Sequence, residues 1–135
     1  MRSEKIFPAT KAAYDTAAAW LEETLNEINC PTKPMMQISM CFEEVFVNIA
    51  SYAYDDDAGT VRCIIDSDGK NVTLQLCDHG KSFDPTAKED PDVTLQMEDR
   101  TIGGLGIFLT KQMMDVVSYE RKNGENILSI QKNIT

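Results

Sequence analysis

The stretch FEEVFVNIASYAY, residues 42–54, combines an apolar helical pattern with two polar residues that this pattern does not require. Its apolar positions recur at steps of three and four, which predicts an amphipathic helix with one face on a core. These positions are Phe42, Val45, Phe46, Ile49 and Ala53. Glu44 and Asn48 lie one turn apart on an adjoining strip, so their side chains project in the same direction. Such a pair fits either a solvent-facing polar pair or a site for a metal ion or a phosphate.

Periodicity and turn residues predict further helices and strands on both sides of this stretch. The predicted helices cover residues 10–29, about 34–54, and 107–117, the last with Ile107, Phe108, Met113, Met114 and Val117 as core candidates. The predicted strands cover 60–67, 71–78, 117–121 and 127–132, with a further short strand before Pro8. Asp68-Gly69 and Lys122-Asn123-Gly124 predict hairpin turns. The polar segment 84–101 lies between the second strand and the third helix.

This order of elements predicts an α/β (α+β) fold of two layers. About three helices would cover one face of a mixed, mainly antiparallel sheet. The length of 135 residues fits one domain, residues 1–135, with a single core.

Composition disfavours two classes of partner. The formal net charge of -9, without a basic patch, disfavours direct binding to nucleic acid. The sequence contains no run of 18 apolar residues that would predict a membrane span. Its N-terminus also lacks the apolar segment of a signal peptide, so we expect a cytoplasmic protein. The four cysteines have no metal-ligand spacing, and three of them, Cys41, Cys63 and Cys77, lie in apolar runs and are interpreted as reduced, buried thiols. The methionines at 35, 36, 40, 113 and 114 suit either the core or an interface with a partner, and core positions are expected for them.

Two further clusters suggest binding chemistry. Asp78 follows an apolar strand directly, and Gly80 permits a tight turn after it. A buried carboxylate at a strand end can accept a hydrogen bond from the exocyclic amine of adenine, although an ordinary turn aspartate has the same pattern. Residues 103–106, with the sequence GGLG, precede the third helix and suit either a hinge or the close approach of a phosphate.

Together these clusters resemble the N box and the two glycine boxes of the GHKL ATPases. The matching segments are ExxxN (Glu44, Asn48), DxG (Asp78, Gly80) and GGLGIFLTKQMMD, residues 103–115. Within that superfamily, the length and the continuation GLGIFLTKQMMDVVSYER resemble the anti-sigma regulatory factors, which are serine/threonine protein kinases. The resemblance implies the Bergerat ATP-binding fold.

The resemblance also implies roles for individual residues. Glu44 would be the general base toward a partner's hydroxyl, Asn48 would bind Mg²⁺, and Asp78 would read the adenine amine with Gly80 shaping its turn. The 84–101 segment would be an ATP lid, with Arg100 reaching the γ-phosphate. The residues expected to hold the phosphates are Gly103, Gly104, Leu105 and Gly106.

Three positions depart from the resemblance. Ser82 replaces a frequent glycine, Tyr52 takes the place of a frequent histidine, and Glu125-Asn126 stand where relatives often have a threonine near the adenine.

The function that the resemblance implies is phosphorylation of a STAS-type anti-anti-sigma partner with ATP and Mg²⁺. A sigma factor would be a second, competing partner, and relatives are often homodimers. The alternative is a nucleotide-gated binding module with little or no kinase turnover. The ATP-binding half of a histidine kinase fits less well, because the only histidine, His79, lies in the proposed adenine loop.

Overall fold

A computed structural model describes residues 1–55, 59–82 and 110–135 of the chain. Within these residues the strands are β1 (Arg2–Pro8), β2 (Thr60–Ser67), β3 (Asn71–Asp78), β4 (Val116–Lys122) and β5 (Glu125–Asn133), and the helices are α1 (Tyr14–Glu27) and α2 (Thr32–Tyr52). A 3-10 turn, Lys11–Ala13, leads into α1, and residues 110–113 are helical before β4 begins.

The five strands form one sheet in the order β1-β2-β3-β5-β4, and all four of its ladders are antiparallel. The short strand expected before Pro8 is confirmed as β1. The mainly antiparallel sheet that was predicted is confirmed, and no ladder between the described strands is parallel. Tight hairpins account for two of the antiparallel pairs, β2 with β3 and β4 with β5. The register of β3 against β5 places Asp78 directly opposite Asn126.

Helices α1 and α2 cover one face of this sheet, as the two-layer prediction required. The apolar stripe of α2 is buried, with Phe42 and Phe46 at 0% exposure. Their ring centroids lie 5.6 Å apart, and Tyr14 of α1 packs 5.8 Å from Phe46. Because each buried aromatic side chain contributes about 1.5–3 kcal/mol, this cluster fixes the rotation of α2 over the sheet.

The helix ends differ from the predicted ones for local reasons. Thr10 caps the 3-10 turn by accepting a hydrogen bond from the backbone N–H of Ala13, so α1 proper starts at Tyr14. Asn29, at a φ of 56°, ends α1 by letting the N–H of Cys30 reach the carbonyl of Leu25 at 3.0 Å. Helix α2 starts at Thr32 rather than Pro34.

The region before β4 also corrects the sequence prediction. Val116 and Val117 belong to β4, so the third helix ends earlier than residue 117. Met114 is buried, and Met113 and Val117 pack against the core as expected. Ile107 and Phe108 lie outside the described residues. The expectation of core positions is wrong for Met36 and Met40, which are 60% and 54% exposed.

All four cysteines are buried and free, and burial raises the pKa of the Cys63 thiol to about 12. No helix in the described parts of the chain has the length and hydropathy that spanning a membrane requires.

The C-terminal end of α2 packs tightly against the chain that leaves β3. The backbone N–H of Lys81 donates to the carbonyl of Ala53 at 2.8 Å. A Cβ added at Gly80 would lie 2.2 Å from that same carbonyl oxygen. Glycine is therefore required at position 80 by the close approach of α2, which brings the helix end beside Asp78.

We predict that Gly80→Ala lowers the free energy of unfolding by about 1–3 kcal/mol, because α2 and the residues after β3 must separate to make room for the methyl group. Urea unfolding followed by circular dichroism measures the change. Gly69→Ala is the reference variant, since its φ is +90° but its added Cβ meets no atom within 4 Å, and only backbone strain is expected there. A Gly80→Ala protein as stable as the wild type would contradict this packing.

Candidate functional site

A cleft lies between the C-terminal half of α2 and the inner face of strands β3, β5 and β4. Its empty volume is about 510 Å³, including the open mouth. The walls are Val45, Asn48, Ile49, Tyr52, Ala53, Leu76, Asp78, Lys81, Tyr119, Asn126 and Leu128. Apolar walls with a few convergent polar groups are typical of small-molecule sites.

Asp78 is the buried carboxylate of this cleft, with 3% of its surface exposed. Its Oδ1 accepts two hydrogen bonds, from the backbone N–H of Gly80 at 2.8 Å and from Nδ2 of Asn126 at 3.0 Å. Among the described residues, no hydrogen bond reaches its Oδ2. Because a buried carboxylate oxygen without a donor is costly, Oδ2 suits a ligand that brings an N–H group.

Glu44 and Asn48 lie beside the cleft on one strip of α2, as the sequence predicted. Nδ2 of Asn48 donates to Oε1 of Glu44 at 3.2 Å, which leaves the amide oxygen of Asn48 free of hydrogen bonds within the described residues. A neutral amide oxygen is a ligand that Mg²⁺ accepts. This oxygen could therefore serve as one ligand of a magnesium ion at the α2 side of the cleft.

The environment of Glu44 shifts its acidity. Burial raises the pKa of the Glu44 carboxyl above its ordinary value of 4.5, the hydrogen bond from Asn48 lowers it, and the nearby Glu43 charge raises it again. A glutamate with a raised pKa is a stronger base than an exposed one.

The cleft also contains a cation that the sequence analysis did not single out. Lys81 lines the cleft, and its Nζ lies 2.6 Å from Oδ1 of Asp55. Both side chains of this pair are largely exposed, and such pairs contribute little to stability. Lys81 can therefore exchange its partner for an anionic ligand at small cost.

Sequence reasoning underestimated Asn126, which it noted only as a departure from threonine. Asn126 is buried at 6% exposure and bonds to Asp78. Its neighbours on the inward side of β5 are Leu128 and Ile130, both buried. Positions 126, 128 and 130 face the same side of β5, and a polar residue at the first of them, before two apolar ones, was the signal that could have identified it.

The predicted site residues are thus partly brought together. Asn48 and Asp78 line one cleft, Glu44 bonds to Asn48, and Gly80 forms the turn after Asp78. Tyr52, whose role the sequence left open, is a wall of the same cleft. The expected lid at 84–101, including Arg100, and the expected phosphate-binding residues Gly103, Gly104, Leu105 and Gly106 lie outside the described residues.

The chain is similar to a named relative and to solved structures. The serine/threonine-protein kinase BtrW of Bordetella bronchiseptica is 27% identical over 123 residues, which are 90% of this chain and 83% of BtrW. The crystal structure of the RsbU and RsbW domains of a Mycobacterium tuberculosis protein matches with a TM-score of 0.71 at 17% identity, covering 98% of this chain and 32% of the larger one. In the SiaB-SiaC complex of Pseudomonas aeruginosa, a chain matches with a TM-score of 0.63 at 13% identity, covering 98% of this chain and 89% of that chain.

The family described as "Histidine kinase-like ATPase domain" matches residues 7–132, nearly the whole chain. This match spans α1, α2 and the cleft that Asn48 and Asp78 line. The chain belongs to the histidine kinase-like ATPase domain family.

Proposed function

We propose that this protein is an ATP-dependent serine/threonine protein kinase of the anti-sigma type, which phosphorylates a small STAS-type anti-anti-sigma protein. The observation that carries the proposal is that Asp78 and Asn48 line one cleft and that Glu44 is hydrogen-bonded to Asn48. In this arrangement Asp78 would bind the adenine, Asn48 would be a ligand of Mg²⁺, and Glu44 would accept the proton of the acceptor hydroxyl.

The adenine would be selected at Asp78. Its Oδ1 already holds two donors, so its Oδ2 is the acceptor left for the exocyclic amine of adenine. A guanine base places a carbonyl oxygen at the same position, and two acceptors would then face each other in a buried setting.

The phosphates would extend from the base toward Asn48 and Lys81, which line the cleft. Asn48 would hold Mg²⁺ through its amide oxygen while its Nδ2 stays bonded to Glu44. A bound magnesium ion supplies charge neutralisation for the transferring phosphoryl group. We further propose, from the resemblance alone, that Arg100 and the 103–106 residues hold the phosphates, and that 84–101 is the lid.

Glu44 would act on the acceptor. It would take the proton of the partner's serine or threonine hydroxyl as that oxygen bonds to the γ-phosphorus and ADP departs with the bridging oxygen. Because Asn48 bonds to Glu44, the metal ligand and the base hold a fixed relation across one helical turn.

The nature of the partner is supported by relatives. BtrW is named a serine/threonine-protein kinase, and the SiaB-SiaC complex contains a chain of this fold in complex. The family resemblance adds the STAS-type partner and a competing sigma factor.

The test of this function is transfer of label to protein. Purified protein is incubated with Mg²⁺, γ-labelled ATP and an extract of its own cells, and the products are separated after acid treatment. We expect acid-stable label on one small protein, since phosphoserine and phosphothreonine survive acid. Nucleotide binding without any labelled acceptor would favour the gated binding module, and acid-labile label would contradict a serine/threonine kinase.

We predict that Glu44→Gln lowers the labelling rate by about 100-fold or more, because general-base catalysis contributes a factor of this size. ATP binding, measured by calorimetry, should stay close to that of the wild type. The melting temperature should be equal or higher, since the variant no longer carries a partly buried charge. Glu43→Gln, an exposed neighbour on the same helix, is the matched control and should label normally. Equal rates for both variants would show that Glu44 is not the base.

We predict an acidic limb in the rate of labelling. Burial raises the pKa of Glu44, so its protonated, inactive form persists to a higher pH than in an exposed glutamate. The rate should fall as the pH drops through this raised pKa. Glu43→Gln should move the limb to lower pH, because the Glu43 charge contributes to the shift. Rates measured between about pH 5 and 8 at saturating ATP check this, and a limb that stays in place in Glu43→Gln would contradict the assignment.

We predict that Asp78→Asn weakens ATP binding by about 100-fold or more, because an amide would place donors against the donors already present in the site. Calorimetry with Mg-ATP measures the loss. Asp66→Asn, the same change at an exposed position of β2, is the control and should bind as the wild type does. Unchanged affinity in Asp78→Asn would remove adenine recognition from this carboxylate.

A further inference from the structure

We propose that Asn126 is a positioning residue that sets the base selectivity of the cleft. It does so by holding Oδ1 of Asp78, so that Oδ2 is kept as the single acceptor for the nucleobase. This inference rests on the proposed function and goes beyond it, since it assigns selectivity to a residue that does not itself contact the base.

The amide of Asn126 uses all of its hydrogen-bonding capacity inside the protein. Its Nδ2 donates to Oδ1 of Asp78 at 3.0 Å and to the carbonyl of Lys81 at 2.8 Å. Its Oδ1 accepts from the hydroxyl of Tyr119 at 2.5 Å and from the guanidinium of Arg121 at 3.0 Å. An amide has two N–H donors and an oxygen with two lone pairs, so none remains for a ligand. Asn126 therefore has no hydrogen bond left to offer a nucleobase directly, and Asp78 is the acceptor that it positions.

The partners also fix which way the amide points. A carboxylate oxygen and a backbone carbonyl can only accept, so they must face Nδ2 of Asn126. The guanidinium of Arg121 can only donate, so it must face Oδ1. Turning the amide over would place two acceptors against its oxygen and a donor against its nitrogen. The orientation of the Asn126 amide is thus unique, and its Nδ2 always occupies one oxygen of the Asp78 carboxylate.

The sheet register creates this arrangement. Asp78 of β3 and Arg121 of β4 are the directly paired neighbours of Asn126 on the two sides of β5. Arg121 also donates to the carbonyl of Gly80 at 2.8 Å. The side chains of Asn126 and Arg121 thereby hold the carbonyls of two successive residues, Gly80 and Lys81, just after Asp78.

Loss of Asn126 would free the Asp78 carboxylate to rotate. Its Oδ1 would keep only the N–H of Gly80, so the oxygen that faces the cleft would still be an acceptor but would no longer be held at one position. The energy difference between an amine and a carbonyl on the base would then shrink. A buried hydrogen bond to a charged group is worth about 10- to 100-fold in binding, which sets the expected size of the effect.

The test compares three Mg-nucleotides by calorimetry: ATP, GTP, and the triphosphate of a purine riboside that lacks the 6-amino group. For the wild type we expect preference for ATP over both others. Asn126→Ala should lower the affinity for ATP by about 10- to 100-fold and change the other two much less, so that the preference collapses. An unchanged ratio of ATP to GTP affinity in Asn126→Ala would overturn the inference.

Two further variants keep the test valid if Asn126→Ala folds poorly. Tyr119→Phe removes one hydroxyl from the oxygen of Asn126 and should reduce the ATP preference in the same direction, by about 2- to 10-fold. Gln75→Ala is the matched control, because Gln75 makes the equivalent side-chain bond from β3 to β5, to Ser129 at 3.0 Å, outside the cleft. Gln75→Ala should keep the full preference. Equal loss in Gln75→Ala and Tyr119→Phe would mean a general structural effect and would overturn the inference.

Asn126→Asp adds a readout that a purely structural role would not change. The new carboxylate would face Asp78 from β3, Tyr119 and Arg121 from β4, and the backbone beside Lys81, and repulsion from Asp78 would favour uptake of one proton. The proton would restore a donor to Oδ1 of Asp78. We expect the ratio of ATP to GTP affinity in Asn126→Asp to rise as the pH is lowered from about 8 to about 5, and to rise more than it does in the wild type. A parallel pH profile in the two proteins would count against the positioning role.

Failure of the inference and failure of the proposed function give different results. A wild-type protein that binds none of the three nucleotides contradicts the proposed function. A wild-type protein that prefers ATP, with the same preference in Asn126→Ala, leaves the proposed function standing and removes only the role of Asn126.

Discussion

The rotation of α2 over the sheet is the constraint on which the rest of the site depends. The buried pair Phe42 and Phe46, packed against Tyr14, allows the helix only one way to face the sheet. The adjoining strip, with Glu44 and Asn48, must then lie along the edge of the helix where the cleft opens. The contact of Gly80 with Ala53 fixes the other end of α2 against the turn after Asp78. The packing of α2 on the core therefore also determines where the polar groups of the site lie.

The polar groups of the cleft lower the stability of the fold, as those of functional sites often do. Asp78 is buried beside an amide rather than beside a cation, and Oδ2 has no donor in the described part of the chain. Glu44 lies next to Glu43, and burial raises its pKa. A sequence selected only for stability would replace these carboxylates with apolar or neutral groups. Asp78 in the cleft, and Glu44 beside it on the cleft residue Asn48, are what separate a binding site from a merely hydrophobic groove.

Much of this architecture could be predicted from residue patterns. The alternation in β2 and β3 and the turns Asp68-Gly69 and Asn123-Gly124 identified both hairpins, and the stripe of α2 identified its buried face. The exact helix ends could not be predicted, because they depend on a single residue such as Asn29 adopting a positive φ. The exposure of Met36 and Met40 could not be predicted either, since a pattern of apolar residues does not show which of them the neighbouring elements cover. For the site, Glu44, Asn48, Asp78 and Gly80 were found as motifs, whereas the role of Asn126 depends on a cross-strand register that no local pattern contains.

The exposed turn between β4 and β5 affects the cleft, although it lies at a distance from it. Asn123 and Gly124 form this tight turn at positive φ, and its length sets which side of the sheet Arg121 faces. Adding or deleting one residue there would slip the pairing by one position and send the guanidinium to the opposite face. Surface loops usually tolerate such length changes during evolution. Here the hairpin length should be inherited as strictly as a catalytic side chain, although no atom of the turn lines the cleft.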